Sequence, residues 1–364
     1  MKAALISLGS VSSKWTSEAM KKYFDSVDDI NLKDIEVNLG AGKIDVLYNG
    51  KPLNKYDCVY AKGSFRYAPL LMSIASTLRN TTYMPINPEA FDIGHDKLLT
   101  HLALQQYKIP MPKTYITSTP EAAKKILEKV NYPIIMKFPQ GTQGKGVMFA
   151  DSFASASSML DALTALRQPF IIQEYVETGG VDIRVIVVGD KVIAAMRRKA
   201  VKGEERANIH AGGKGEAYQL DARAKKIAVE TAKAIGAEVC AVDILESSKG
   251  PVVIEANISP GLQGITSATK IDVVEKIAKY LYEKTKSRSE SGKKVGTSKI
   301  FEDLGIKKAE SGVQEILTNL DFRGERILLP KVVTGVTKFN DKDEISIKIS
   351  KGVLVVKKSG IGEN

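Results

Sequence analysis

Three residues, Asp243, Glu255 and Asn257, are spaced to hold a divalent cation. They lie in two apolar runs, Ala241-Val-Asp-Ile-Leu245 and Pro251-Val-Val-Ile-Glu-Ala-Asn257, joined by the polar turn Ser247-Ser-Lys-Gly250. Side chains alternate faces along a strand, so a hairpin turning near residue 249 puts Val242, Ile244, Val252, Ile254 and Ala256 on a core face. The opposite face then shows Asp243 directly across from Glu255, with Asn257 diagonal to it. Two carboxylates opposed across a ladder repel unless a cation lies between them. Hard oxygen donors in this number suit Mg²⁺, which takes one or two carboxylates and completes its shell with water and substrate phosphates. The hairpin therefore asks for Mg²⁺ and a nucleotide, against the competing reading of a solvated acidic sheet edge.

Gly141-Thr-Gln-Gly-Lys-Gly146 lies between two strand-like runs, so it is neither a P-loop nor a dinucleotide fingerprint, both of which open a helix. A strand, glycine loop and strand make a flap whose backbone N–H groups can cover phosphates. Lys137 on the incoming strand and Lys97 at a helix start could supply cations to the same phosphates, although single lysines are more often surface residues. Arg197, Arg198, Lys199, Arg206, Asn208 and His210 form a cationic cluster that suits a triphosphate or an anionic substrate, or else a solvated basic loop. The three histidines, His95, His101 and His210, have neither metal-ligand spacing nor a nucleophile partner.

The elements that must carry these residues read as α/β followed by α+β. Residues 1–90 alternate strand-like runs (3–8, 57–61) with amphipathic segments (16–23, 69–79), the pattern of a small α/β domain with a parallel sheet. Asp96 N-caps a helix ending before Pro110. From 114 to 151 come a strand, a helix that Thr119-Pro-Glu121 starts, and two strands around the glycine loop. A hairpin over 184–199 turns at Gly189-Asp190, residues 221–236 form a helix, and the stripe Ile271, Val274, Ile277, Ala278, Leu281 forms another. The second domain spans 91–285, with a lid around 113–175; 286–298 is a Ser, Gly and Lys-rich linker. An appendage, 299–364, starts with one or two helices over 299–320 and continues as short strands. Residues 286–364 carry 16 Lys and Arg against 11 Asp and Glu, so something anionic could meet them.

Length and composition bound the class. A chain of 364 residues with 43% hydrophobic and 26% charged residues supports two or three globular domains. The net charge of +11 and pI near 9.3 permit nucleic acid, an anionic substrate or an acidic partner without choosing among them. Two cysteines, Cys58 and Cys240, both in apolar runs, make no disulfide framework. No apolar run reaches the roughly 18 residues of a membrane helix, and a cytoplasmic protein is expected.

Lys97, Lys137, the Gly141–Gly146 loop, Gln173-Glu-Tyr175, Asp182-Ile-Arg184, Arg206-Ala-Asn208, Asp243 and Glu255-Ala-Asn-Ile-Ser-Pro-Gly-Leu-Gln-Gly264 occur in the order seen in ATP-grasp ligases. Across roughly residues 1–285 the chain resembles the RimK-type α-L-glutamate ligases. The resemblance implies an ATP-grasp fold behind an N-terminal α/β (pre-ATP-grasp) domain, with a small mostly β C-terminal appendage. It implies ATP and Mg²⁺, with Mn²⁺ an admissible substitute. By resemblance, ATP is held by Lys97, Lys137, Gly141, Thr142, Gln143, Gly144, Gly146, Glu174, Tyr175, Asp182, Arg206 and Asn208, and the metal by Asp243, Glu255 and Asn257. Arg198 and Arg206 take catalytic roles, Arg198 stabilising an acylphosphate or gripping the amino acid. Arg66, Arg184, Lys199, Ser259 and Gly261 bind substrate. Lys199 stands where the family usually has a second arginine, and lysine cannot make a bidentate carboxylate clamp.

The implied reaction is ADP-forming ligation of an amino acid, L-glutamate, to an acceptor protein's C-terminus or a cofactor. Thr142-Gln143 and Ser259-Pro-Gly261 favour this over a LysX-like ligase acting on an acidic carrier protein. The tail, from Asp321-Phe-Arg-Gly-Glu-Arg-Ile-Leu-Leu-Pro-Lys331 onward, resembles the AbrB/SpoVT swapped-hairpin module. That second resemblance implies a homo-oligomer and leaves open nucleic-acid binding through residues 299–364, as in a nucleotide-sensing DNA-binding regulator.

Overall fold

The computed structural model describes residues 1–303 apart from 41–42, 142–145 and 200–213, and beyond 303 only 306–308, 314–316, 321–324, 326–328, 337, 340, 343–350 and 353–358. The chain divides into two units, Met1–Glu290 and Ser291–Asn364. The first unit opens on β1 (Lys2–Ser7), α1 (Val11–Met20) and β2 (Ser26–Asn31), the strands pairing in parallel. A side sheet of β3 (Ile35–Gly40), β4 (Lys43–Tyr48) and β5 (Lys51–Pro52) follows. Then β6 (Cys58–Ala61) returns to the far flank of β1, giving the order β2-β1-β6. Ala3 to Ile6 and Cys58 to Ala61 are wholly buried, as uninterrupted apolar strands must be when both faces of a parallel sheet are covered. Because β1 connects to one neighbour and β6 lies on its other side, their carboxyl ends flank a crevice, the place where open α/β sheets take ligands.

Three helices lead onward, α2 (Ala68–Leu78), α3 (Ala90–Ile93) and α4 (Lys97–Gln106). Asp96 caps α4, accepting from the Leu98 and Leu99 amides at 2.8 and 3.1 Å. A four-stranded antiparallel sheet comes next, built from β7 (Thr114–Tyr115), β8 (Ile134–Lys137), β9 (Val147–Ala150) and β10 (Ile171–Glu174) in the order β7-β10-β8-β9. Helices α5 (Pro120–Leu127) and α6 (Phe153–Ala165) cover it. This lid has its own core, with Ala123, Leu127, Ile134, Met136, Leu160 and Ile172 among its members, separate from the core of the rest of the unit.

The central antiparallel sheet follows the order β13-β12-β11-β14-β15, with β11 (Val181–Val188), β12 (Lys191–Lys199), β13 (Lys214–Ala217), β14 (Val239–Ser247) and β15 (Gly250–Asn257). Helix α7 (Ala222–Ile235) packs on it and ends at Gly236, whose φ of +74° turns the chain in the left-handed region that glycine adopts freely. Helices α8 (Gln263–Thr269) and α9 (Val273–Asp303) follow, α9 burying Val273, Ile277, Ala278 and Leu281. No helix among the described residues is long and apolar enough to cross a membrane.

Three expectations change. Residues 286–298, read as a linker, continue α9 as helix; once a packed stripe has nucleated a helix, each further Lys, Arg or Glu extends it at little cost, and the two glycines are absorbed. Within 299–320, expected as helix, the described residues beyond Asp303 form the antiparallel strands β16 (Ile306–Lys308) and β17 (Gln314–Ile316). Further on, β18 (Asp321–Arg323) pairs with β19 (Arg326–Leu328), and β20 (Ile345–Ser350) with β21 (Val353–Lys358). The third change is local. A bulge in the β14–β15 ladder pairs Asp243 with Glu255 but Ile244 with Val253, so Ile254 is the extra residue. Val253 rather than Val252 and Ile254 enters the core, and Ile254 lines the cleft described next.

Candidate active site

A cleft of about 870 Å³ runs from the crevice of the parallel sheet, past the central sheet, to the lid. Its floor carries the acidic hairpin. Asp243 faces Glu255 in the ladder and Asn257 sits diagonally, opposite Ala241; all three line the cleft. Asp243 is buried and heavily paired: Arg184 donates from Nε and Nη2 at 2.8 and 2.7 Å, and Arg198 Nη2 approaches at 2.9 Å. Burial alone would raise this carboxyl, but the two guanidinium groups hold it well below the usual carboxylate range. Arg198 also grips Asp182 through Nε and Nη2 at 2.6 and 2.5 Å. The result is a buried chain, Arg184–Asp243–Arg198–Asp182, built from cross-strand neighbours, because Arg184 pairs with Asp243 and Asp182 with Arg198 in the ladders.

The donor set fits Mg²⁺. Among the described residues Glu255 has no hydrogen-bond partner, Asn257 Oδ1 accepts only from the Ser259 amide at 2.9 Å, and Asp243 Oδ1 keeps one lone pair. Among the described residues no group of three or more His, Cys, Asp or Glu gathers to hold a metal; Mg²⁺ itself usually takes only one or two carboxylates, with water and substrate phosphates as its other ligands.

The opposite wall is cationic. Lys137, at the end of β8, is 6% exposed, and its Nζ donates to Gln173 Oε1 at 2.9 Å. Gln173 Nε2 in turn donates to Thr114 Oγ1 and to His101 Nε2, both at 2.8 Å. Since His101 Nε2 then accepts, its Nδ1 carries the proton and donates to the Lys97 carbonyl at 2.5 Å. Burial pushes Lys137 down to about 8, and burial, with Lys137 second, pushes His101 down to about 4. Lys97 Nζ donates to the Gly141 carbonyl at 3.1 Å and its amide to the Pro139 carbonyl at 2.8 Å, tying α4 to the base of the glycine loop. Gly146 sits at φ +79° with the Phe138 ring 2.3 Å from where a Cβ would stand, so only glycine fits there.

At the far end, Glu174 accepts from Tyr115 at 3.1 Å and Tyr175 stacks edge-on against Phe149 at 5.3 Å. Lys97, Lys137, Gly141, Glu174, Tyr175, Asp182, Arg184, Arg198, Ser259 and Gly261 all line the cleft. Arg66 is exposed beside Phe65 and Lys199 is exposed at the end of β12; neither lines it. Thr142, Gln143, Gly144, Arg206 and Asn208 lie outside the described residues. The sequence pattern gives no role to His101 or Thr114. His101 carries one usable signal, its place four residues after Lys97 on the same face of α4.

A neutral buried histidine has a measurable cost. Its folded value lies below the unfolded one near 6.5, so protons bind the unfolded chain first and stability falls as pH drops from about 6.5 towards 4. For His101 that span corresponds to roughly 3 kcal/mol. Urea unfolding across this range should show the decline, and His101→Gln should flatten part of it.

A family model described as a RimK-like ATP-grasp domain matches residues 94–281. A probable alpha-L-glutamate ligase of Marinomonas sp. (strain MWYL1) is 37% identical over 271 residues, covering 74% of this chain and 90% of that relative. Another, of Thioalkalivibrio sulfidiphilus, is 38% identical over 251 residues, covering 67% and 82%. Among solved structures, the ATP-grasp ligase PsnB complexed with minimal precursor, Mg and ADP superposes with a TM-score of 0.61 at 20% identity, covering 78% of this chain and 98% of that one. A RimK domain ATP-grasp protein from Sphaerobacter thermophilus gives 0.60 at 19%, covering 77% and 99%.

Proposed function

This chain belongs to the RimK-like ATP-grasp ligases, which use ATP and Mg²⁺, and from that premise we propose that it joins L-glutamate to an acceptor carboxylate through an acylphosphate. The observation that carries the reading is one cleft with Lys97, Lys137 and the base of a glycine loop on one wall and Asp243, Glu255 and Asn257 on the other. The acceptor carboxylate attacks the γ-phosphorus of ATP and ADP leaves. The glutamate amine then attacks the acyl carbon, the acyl C–O bond breaks, phosphate departs, and the nitrogen loses a proton to give the amide.

In this reading Asp243, Glu255 and Asn257 would hold Mg²⁺, which would supply charge neutralisation to the phosphates. Lys137 and Lys97 add fixed positive charge, and the buried Gln173–His101 relay keeps Lys137 aimed before substrate arrives, so the stabilisation costs no reorganisation. Glu174 and Tyr175 border the adenine, Asp182 the ribose, and Arg198 the transferring group. Gly144 and its neighbours in the loop, with Arg206 and Asn208, cover the phosphates. Mn²⁺ would substitute through the same oxygen donors.

The decisive experiment measures ADP release by purified protein with Mg·ATP, L-glutamate and a panel of peptides and small cofactors bearing free carboxylates, with mass spectrometry of the products. Release should require both amino acid and acceptor, and one acceptor should gain a glutamyl residue. ATP turnover indifferent to both would sink the proposal.

The appendage supports a homodimer. In the β20–β21 hairpin Ile345, Ile347, Ile349 and Leu354 are exposed, and an isolated two-stranded hairpin is marginal in water. A second copy of the hairpin would cover those side chains. Sedimentation of the full chain should show a dimer, and Ile347→Glu with Ile349→Glu should return it to monomer without altering nucleotide affinity.

A further inference from the structure

The crevice at the carboxyl ends of β1 and β6 holds a cation that the nucleotide end of the cleft does not need. Lys62 follows β6, is 4% exposed, and lines the cleft. Its Nζ lies 5.6 Å from the centre of the Tyr60 ring, and among the described residues no carboxylate pairs with it. Burial pushes its ammonium down to about 8, and no acid opposes that shift. An uncompensated buried lysine is costly unless an anion joins it. The remaining described cations of the cleft are differently placed. Arg184 and Arg198 are bound into carboxylate pairs, and Lys97 and Lys137 lie with the glycine loop.

The crevice has a second source of positive potential. Helix α1 begins there, ten residues long, with Ser10 and Ser13 lining the cleft; Ser10 Oγ caps the Ser13 amide at 3.2 Å, which leaves the Val11 and Ser12 amides, without a hydrogen-bond partner among the described residues, to favour an anion. The crevice is also joined directly to the metal side. The Gly63 amide donates to Ser259 Oγ at 3.0 Å, and Ser12 Oγ accepts from the Leu262 amide at 2.9 Å. Two hydrogen bonds thus hold the segment after Asn257 against the loop that carries Lys62 and the first turn of α1, which puts the crevice next to the reacting centre rather than at the adenine end.

We infer that this crevice binds a carboxylate of the incoming amino acid, with Lys62 as its counter-ion and the N-terminus of α1 as its second donor. The inference rests on the reading of the protein as a glutamate ligase, and it assigns recognition of the amino acid to the N-terminal sheet.

The test is equilibrium binding of radiolabelled L-glutamate to the full chain holding Mg·AMP-PNP. Lys62→Met should weaken glutamate about 10- to 100-fold, the loss expected for one hydrogen bond to a charged group, and leave AMP-PNP affinity unchanged; Lys62→Arg should recover part of it. L-glutamine and isoglutamine separate the two carboxylates: the amide whose binding is insensitive to Lys62→Met lacks the one that Lys62 grips. Equal glutamate binding by wild type and Lys62→Met overturns the inference and leaves the ligase reading standing. Wild type that binds AMP-PNP but no glutamate overturns both. A measurement independent of the variants uses the unaltered protein: saturating L-glutamate should slow acetylation of Lys62, mapped by peptide mass spectrometry, and unchanged acetylation counts against the assignment.

Discussion

Glu255→Gln is expected to lower ligation-coupled ADP release by about a thousandfold, or roughly 4 kcal/mol of transition-state stabilisation, while leaving thermal stability near that of wild type. Glu255 is the right place to remove metal-binding charge because it has no hydrogen-bond partner among the described residues, so no buried donor is orphaned, and Lys137, which feels its charge, keeps its bond to Gln173. Glutamine keeps the shape and one carbonyl oxygen, which isolates the charge. Asp243 offers no such clean experiment, since Arg184 and Arg198 both depend on it. Nucleotide affinity measured with and without Mg²⁺ sharpens the reading: wild type should bind ATP more tightly with the metal, and Glu255→Gln should lose most of that difference. A variant that keeps full turnover would remove Glu255 from the metal site.

Arg198→Leu should destabilise the protein by about 3–5 kcal/mol, the range for breaking a buried ion pair by removing one partner. Leucine fills much of the volume, so the loss reports charge rather than a cavity. Among the described residues Asp182 loses the guanidinium it is hydrogen-bonded to, and Asp243 one of the two paired with it. The pH profile should identify the cause. Asp243 has a depressed folded value, so its contribution is present above the unfolded value near 3.9 and is lost as pH falls further. With Arg198 gone the folded value of Asp243 rises, and Asp182, which burial already holds up near 6 against the pull of Arg198, rises further, so both acids take up protons more readily in the folded variant and the stability gap to wild type should narrow as pH falls. Urea titrations of wild type and variant between pH 3 and 7 measure both effects.

The chain order of the cleft's residues could be read before any coordinates, but its ion pairs could not. Asp243 across from Glu255 followed from alternating apolar residues around a short turn, because a period of two admits few registers when one face must be buried. The same logic fails at bulges, which leave no mark in the pattern. A symmetric hairpin about Gly189-Asp190 would set Asp182 opposite Arg197. The irregularity between Ile186 and Val187 shifts the partner to Arg198, leaving Arg197 to lie over the Tyr218 ring at 4.4 Å. One residue of slip thus decides which arginine is buried beside the acids. Lys62 illustrates a different limit. Its burial comes from a crevice between β1 and β6, strands separated by the whole side sheet, and local sequence carries no trace of that packing. The Lys137–Gln173–His101 relay likewise needs α4 laid against the lid.

The separate core of the lid bears on how the molecule opens. Since Leu127, Ile134, Met136, Leu160 and Ile172 are buried among themselves, swinging this part about its connecting strands exposes little apolar surface, and what must break is chiefly the polar latch at Gln173, His101 and Lys97. The lid should therefore behave as a cooperative unit of its own, with an opening free energy below that of the whole fold. Native-state amide exchange would read this directly, as faster and mutually matched rates in β8 and β10 than in β14. Bound nucleotide, bridging both walls, should draw the two sets of rates together.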